Sequence, residues 1–174
     1  MQKMQKKPNK YMATIIKPPQ SLAYQPNKRS VFLAGSIEMG KAKDWQAYVG
    51  NNLLNFDIII WNPRRTSWDS SWEQSINNPV FKEQVDWELD ALDRAELILF
   101  HFESDTQSPI TLMELGLFAQ SKKCLVHCPE GFWRKGNVDI VCDRYNIQQV
   151  NSLDHGIAKL KDHFNSCIVK RHNN

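Results

Sequence analysis

Leu97-Ile98-Leu99-Phe100, a polar loop, and then Ser108-Pro109-Ile110-Thr111-Leu112-Met113-Glu114-Leu115-Gly116-Leu117-Phe118-Ala119 read as a buried strand running into a helix. Ser108 is placed as the N-cap and Pro109 in the first turn, where its missing N–H removes no helical bond. With Ile110 before it and Leu117 and Phe118 after it at helical spacing, Glu114 falls on an apolar stripe. A carboxylate among apolar side chains costs free energy unless it is paired or chemically employed. The crevice beyond strand C-termini is where open α/β sheets bind ligands. Glu114 is therefore either an acid paired with a buried Arg or Lys, or a reactive group at a ligand site.

The same alternation extends in both directions. Residues 31–34 and 56–61 read as strands, and residues 41–54 as an amphipathic helix with Trp45, Val49 and Leu53 on one side. Residues 62–78 form a long polar loop, 80–94 a helix, and 96–102 the strand already quoted. Beyond the Glu114 helix come a strand at 123–127, an irregular stretch, a short strand at 147–150 and a last helix at 153–169. Repeated β-α units imply one α/β domain, a mostly parallel sheet of about five strands with helices on both faces. No internal repeat is present.

A chain of 174 residues is long enough to bury a substantial core in one domain. Its net charge of +3 conceals an asymmetry: seven of the 22 Lys and Arg precede Ser30, and none of the 19 acids does. The body from residue 30 on therefore carries a charge of about −4, unlike a basic nucleic-acid binder. Residues 1–29, rich in Lys and Gln and holding Pro18-Pro19, read as a basic, mostly disordered arm, leaving 30–174 as the domain. Cys124, Cys128, Cys142 and Cys167 lack the paired CxxC spacing of a zinc site, and Cys124 reads as a reduced core thiol. With no signal peptide and no apolar run near twenty residues, the expectation is a reducing, soluble compartment, the cytoplasm, and no membrane partner.

Three loops should gather at one sheet edge. Gly35-Ser36-Ile37-Glu38-Met39-Gly40 offers close backbone approach and a hydroxyl for a phosphate or sugar oxygen; the alternative is a plain turn before a helix. Asn62-Pro63-Arg64-Arg65-Thr66-Ser67-Trp68 and the residues to Trp72 are long enough for a substrate lid, with two Trp residues as a stacking wall or as a core cover. Residues 105–108 feed the N-terminus of the Glu114 helix, an anion-favouring position. On the helix before that strand, Phe81, Val85, Glu88, Leu92 and Ala95 share a stripe, so Glu88 also points inward, whereas Asp86 and Asp90 fall outside it. Two inward carboxylates that meet tune each other, one ionised to attack and one holding a proton. The alternative for Glu88 is a pair with Lys82 or Arg94.

Phe32-Leu33-Ala34-Gly35-Ser36-Ile37, Gln84-Val85-Asp86-Trp87-Glu88, Ala95-Glu96-Leu97-Ile98-Leu99-Phe100 and Ser108 through Gly116, in this order and spacing, resemble the nucleoside 2-deoxyribosyltransferase superfamily. That superfamily includes the 2-deoxynucleoside 5-monophosphate N-glycosidases. The resemblance implies a flavodoxin-like (Rossmann-like), doubly wound sheet in homodimers or larger homo-oligomers, with a neighbour's segment completing each site. It implies that Glu114 is the nucleophile and Glu88 the acid that orients it or handles protons, with no metal or cofactor. The expected partner is a small nucleoside or nucleotide.

Gly35, Ser36, Ile37, Asn62, Arg64, Arg65 and Ser108 are the candidate substrate contacts. Asn137 and Asp139, in the irregular stretch, are candidates for contacts given across a subunit interface or for loop capping. The position six before the nucleophile is Asp in typical base-exchanging transferases and a phosphate-contacting Ser in the monophosphate glycosidases; here it is Ser108. Those glycosidases follow that Ser with a Gly-rich turn, and this chain has Pro109-Ile110-Thr111. The Asn62-Pro63-Arg64-Arg65 loop and the segment from Phe132 to Val138 resemble a less characterised branch.

The implied chemistry is retaining: attack of Glu114 on C1′ of a 2-deoxyribosyl group gives a covalent glycosyl-enzyme, which a second base or water resolves. Two rival classes stay open, a non-catalytic nucleotide-binding module and an FMN electron carrier; the first has no reason to bury both Glu114 and Glu88.

Overall fold

The computed structural model describes residues 12–22, 28–37 and 42–166. Six strands form one sheet: β1 (Thr14–Ile16), β2 (Arg29–Gly35), β3 (Ile58–Trp61), β4 (Leu97–His101), β5 (Cys124–His127) and β6 (Gln148–Val150). Among the described residues five α-helices connect or flank them: α1 (Trp45–Leu53), α2 (Pro79–Arg94), α3 (Pro109–Phe118), α4 (Lys135–Tyr145) and α5 (Leu153–Asn165). The strand order is β1-β3-β2-β4-β5-β6 and every pairing is parallel. Setting β1 aside, the order is that of a doubly wound, flavodoxin-like sheet, whose direction of winding reverses between β2 and β4.

Period-two alternation builds the two layers. In β2, Phe32 and Ala34 face the core under α2, α3 and α4, together with Trp61, Trp87, Phe100 and Leu115. Val31 and Leu33 face the other core, under α1 and α5, with Trp45, Val49, Leu99 and Leu160. Asn78 accepts from the N–H groups of Val80 and Phe81 at 3.1 and 3.3 Å, and Pro79 opens α2. Ser152 caps α5 by accepting from the His155 N–H at 3.1 Å. Arg29, at the start of β2, holds Glu96 before β4 through Nε at 3.0 Å and donates to the His163 carbonyl of α5 at 2.9 Å, tying three elements together.

Three expectations need correction. The sheet has six described strands rather than about five, because Thr14–Ile16 of the supposed arm pairs with β3, Ile15 opposite Ile60. The main-chain hydrogen bonds of an edge position outweigh the polar composition around it. The following residues continue the attachment: the Gln20 carbonyl accepts from Trp87 Nε1 at 2.8 Å and the Leu22 carbonyl from Arg94 at 2.7 Å. Residues 1–11 and 23–27 of that arm lie outside the described residues.

Residues 135–145, read as irregular, are helix α4. The first helix begins at Trp45 rather than 41, capped by Asp44, which accepts from the Ala47 N–H at 3.0 Å. The last helix is described to Asn165, and residues 167–174, with Cys167, lie outside the described residues. No described helix is long and apolar enough to cross a membrane.

Candidate active site

The switch between β2 and β4 brings Ser36, which follows β2, against the loop that leaves β4. The Ser36 N–H donates to the His101 carbonyl at 3.0 Å. Its hydroxyl, fully buried, accepts from the Glu103 N–H at 3.0 Å and lies 2.7 Å from both Thr106 Oγ1 and Ser108 Oγ. Thr106 Oγ1 donates to the Glu103 carbonyl at 2.9 Å and stands 3.0 Å from Ser108 Oγ. Three hydroxyls from two loops thus form a closed cluster at the sheet's C-terminal edge. Ser108 sits in the left-handed region, φ 46° and ψ 50°, and makes no side-chain cap bond to α3. Ser108 is the N-cap residue expected, with its carbonyl accepting from the Leu112 N–H at 3.0 Å, but its hydroxyl turns to Ser36 and Thr106 instead of capping the helix. A non-glycine residue is held there only where its surroundings over-determine it.

Gly35 answers a packing need. A Cβ at this position would meet the His101 carbonyl oxygen at 2.2 Å and Trp45 Cζ2 at 2.6 Å, so the close approach is to β4 and α1. Ile37 is partly buried, and residues 38–40 of the same loop lie outside the described residues.

Glu114 is 6 % exposed, and no described residue hydrogen-bonds or ion-pairs with its carboxylate. Its stripe differs from the expected one: Thr111 and Leu115 share its buried side, whereas Ile110 (55 %) and Leu117 (62 %) are exposed. Glu88 on α2 accepts from Gln84 Nε2 at 2.7 Å, and Gln84 also donates to the Pro63 carbonyl at 3.1 Å. The alternative partners of Glu88 are engaged elsewhere, Lys82 with Asp86 and Arg94 with the Leu22 carbonyl. Asp86 and Asp90 are exposed, as their positions off the stripe imply.

Burial pushes the Glu88 carboxyl up to about 7, against a smaller opposing effect of the Gln84 N–H. Burial holds Glu114 well above the usual carboxylate range, and the charge of Glu88 raises it further. Glu114 thus senses the charge of Glu88, and no described Lys or Arg pairs with either carboxyl.

The second loop is organised differently from the lid expected. Asn62, buried, donates its N–H to the Ile16 carbonyl at 2.9 Å and accepts from the Arg64 N–H at 2.9 Å. Arg64 bonds Gln46 Oε1 at 3.1 Å and the carbonyls of Ala42 and Lys43 at 3.2 and 2.8 Å. Arg65 pairs with Glu83 at 3.0 Å and lies over Trp72, 5.1 Å from the ring. Arg64 is thus tied to the loop that follows Ser36, and Arg65 to a carboxylate on the surface of α2. Trp68 and Trp72 pack together with ring centres 5.1 Å apart.

Asn137 and Asp139 lie on α4 rather than in an irregular stretch. Asn137 lines a cleft of about 260 Å³ between α3 and α4, with Leu112, Leu115 and Arg134. Asp139 pairs with Lys135 at 2.8 Å. Trp133, just before α4, donates from Nε1 to the Gln107 carbonyl at 3.0 Å, which ties that corner to the β4–α3 loop.

Sequence reasoning gave no role to Gln84, Thr106, His101 or His127. Gln84 carried a signal, one helical turn before Glu88. Thr106 carried none, because its bonds depend on how the loop folds back. His101 and His127 end adjacent strands, their rings stacked at 4.9 Å with the Nδ1 atoms 2.8 Å apart. Burial and then the charge of His127 push His101 down to about 3, so it is neutral. His101 also packs on Trp45, on the sheet face opposite Glu114. Among the described residues no group of three or more His, Cys, Asp or Glu is placed to hold a metal.

A family model of nucleoside 2-deoxyribosyltransferase-like proteins matches residues 28–132, the span that contains Ser36, Glu88, Thr106, Ser108 and Glu114. No curated protein matches the chain. The crystal structure of a conserved protein from Enterococcus faecalis V583 is similar in fold, with a TM-score of 0.57 at 11 % identity over 78 % of this chain and 99 % of that one. With the match covering more than half of its length, the chain belongs to the nucleoside 2-deoxyribosyltransferase-like family.

Proposed function

We propose that the protein cleaves or exchanges the N-glycosidic bond of 2-deoxyribonucleosides or their 5′-monophosphates, with Glu114 as nucleophile and Glu88 as the proton-handling acid. One observation carries this reading: a buried carboxyl on α3 and a partly buried one on α2, the first raised by the charge of the second and neither paired with a cation among the described residues, lie on one face of the sheet. A binding module gains nothing from such a pair, whose burial costs stability.

In the reactive state the pair's proton is on Glu88 and Glu114 is ionised. A Glu114 oxygen forms the bond to C1′ as the C1′–N bond breaks, and its electron pair leaves with the base, which takes the proton from Glu88. The positive charge that develops on the sugar ring stabilises the Glu114 carboxylate at that moment. Water or a second base then attacks C1′, returns its proton to Glu88 and frees Glu114. Transfer and hydrolysis differ only in that acceptor.

The hydroxyl cluster of Ser36, Thr106 and Ser108, beside the N-terminus of α3, favours the 5′-monophosphate. Asn137 and Asp139 are proposed as contacts given to a neighbouring copy. The chain is proposed to assemble through the uncovered apolar side of α3, where Ile110, Met113 and Leu117 are all more than half exposed.

The test is incubation with a panel of deoxynucleosides and their monophosphates, with and without a free acceptor base, followed by chromatography of the released bases. Release that disappears in Glu114→Ala is the expected result. Equal or better turnover of unphosphorylated substrates removes the phosphate preference, and no release from any member overturns the reading.

A further inference from the structure

We propose that Gln84 is the positioning residue of the carboxylate pair, fixing through its side-chain amide which oxygen of Glu88 carries the mobile proton. The orientation of that amide follows from its neighbours. The Pro63 carbonyl, 3.1 Å from Nε2, can only accept, so it turns the NH₂ end of Gln84 toward itself. The second Nε2 hydrogen then faces Glu88 Oε1 at 2.7 Å, a short, charge-assisted contact when Glu88 is ionised. An N–H donor occupies one lone pair of Oε1 and stabilises the negative charge there, so the proton of Glu88 favours Oε2.

The opposite amide orientation would set Gln84 Oε1 3.1 Å from the Pro63 carbonyl, two acceptors with no hydrogen between them. The fold instead accepts an unsatisfied group: Gln84 is 3 % exposed, and its Oε1 has no hydrogen-bond partner. A buried amide with an orphaned acceptor is held by what its donor end does.

The surroundings leave this N–H as the only donor to Glu88 among the described residues. On α2, Lys82 is paired with Asp86 and Glu83 with Arg65, while Arg94 at the helix end holds the Leu22 carbonyl. On α3 the titratable neighbour is Glu114, and the loop after β3 presents the Pro63 carbonyl. Because that carbonyl begins the long loop to α2, Gln84 also joins the loop's first turn to the acid.

The consequence for turnover rests on the proposed reaction, whereas the proton placement does not, and the experiment separates the two. Carboxyl carbon NMR of the full-length protein without substrate reads the Glu88 titration directly in wild type and in Gln84→Met, which keeps the reach and removes the donor. The Glu88 midpoint is expected to rise by about one pH unit in the variant. In turnover, the alkaline limb of the kcat profile, where Glu88 loses its proton, should move upward by the same interval while KM stays within about twofold. An unchanged NMR midpoint overturns the proposal, as does a variant whose KM changes while the limb stays in place. A shifted midpoint in a protein with no turnover supports the positioning role and removes the glycosidic reading alone. Should Gln84→Met not fold, the wild type decides: the Gln84 side-chain amide resonances are expected to move with the Glu88 titration, and resonances flat across it overturn the proposal.

Discussion

Among single residues, Glu114 and Glu88 join the proposed chemistry to a cost in stability. Glu114→Gln should reduce base release to background while leaving the fold intact, because the amide is a poor nucleophile and removes a buried acid. Glu88→Gln should lower the rate by roughly a hundredfold and flatten the pH profile on its alkaline side, measured by initial rates across pH. Stability gives an independent check. Between the ordinary carboxyl value of 4.5 and about 7, Glu88 stays protonated in the folded protein and ionises in the unfolded one. The unfolded state therefore binds fewer protons, and stability falls as pH rises through that window, by on the order of 3 kcal/mol from this group. Glu114 acts with the same sign. The melting temperature of Glu88→Gln should exceed that of wild type at pH 8 and approach it near pH 4; an equal difference at both values would count against the buried pair. Both carboxylates were legible in the sequence because an acid at helical spacing among apolar residues has few uses. The exposure of Ile110 and Leu117 was not legible, since periodicity finds an apolar stripe without saying whether anything covers it.

At the scale of elements, α3 is apolar on more than one side: Thr111, Glu114 and Leu115 pack inward, and Ile110, Met113 and Leu117 face outward. If that outer side joins two copies, the double variant Ile110→Lys, Leu117→Lys should run as a monomer in light scattering, where wild type has at least twice that mass. The β2–β4 contact makes a second expectation. Gly35→Ala places a methyl group 2.2 Å from the His101 carbonyl oxygen and should cost at least several kcal/mol in a urea titration, or prevent folding. Helix α4 was missed because Gly136, Asn137 and Asp139 weaken its propensity and only Val138 and Cys142 are buried on it. Its formation follows from packing over the β4–β5 side rather than from local preference.

Across the whole molecule, the parallel sheet with helices on both faces was legible from the alternation of apolar strands with amphipathic helices, and its doubly wound order from the family resemblance. The edge strand β1 was hidden, because a three-residue strand amid Lys, Gln and Pro adds too little apolar signal to stand out. Its consequence is measurable: a chain lacking residues 1–22 uncovers the β3 edge and loses the carbonyls that hold Trp87 and Arg94, and should melt lower than wild type. The hydroxyl cluster was only half visible, since Ser36 and Ser108 stood out as loop residues while Thr106 joins them through the fold alone. The central claim, that Glu114 attacks C1′, is tested most directly by peptide mass spectrometry of protein quenched with a slow 2-fluoro deoxynucleoside 5′-monophosphate analogue. The expected result is a glycosyl adduct on the peptide containing Glu114, absent in Glu114→Gln; base release without any adduct, or an adduct on a different residue, would contradict it.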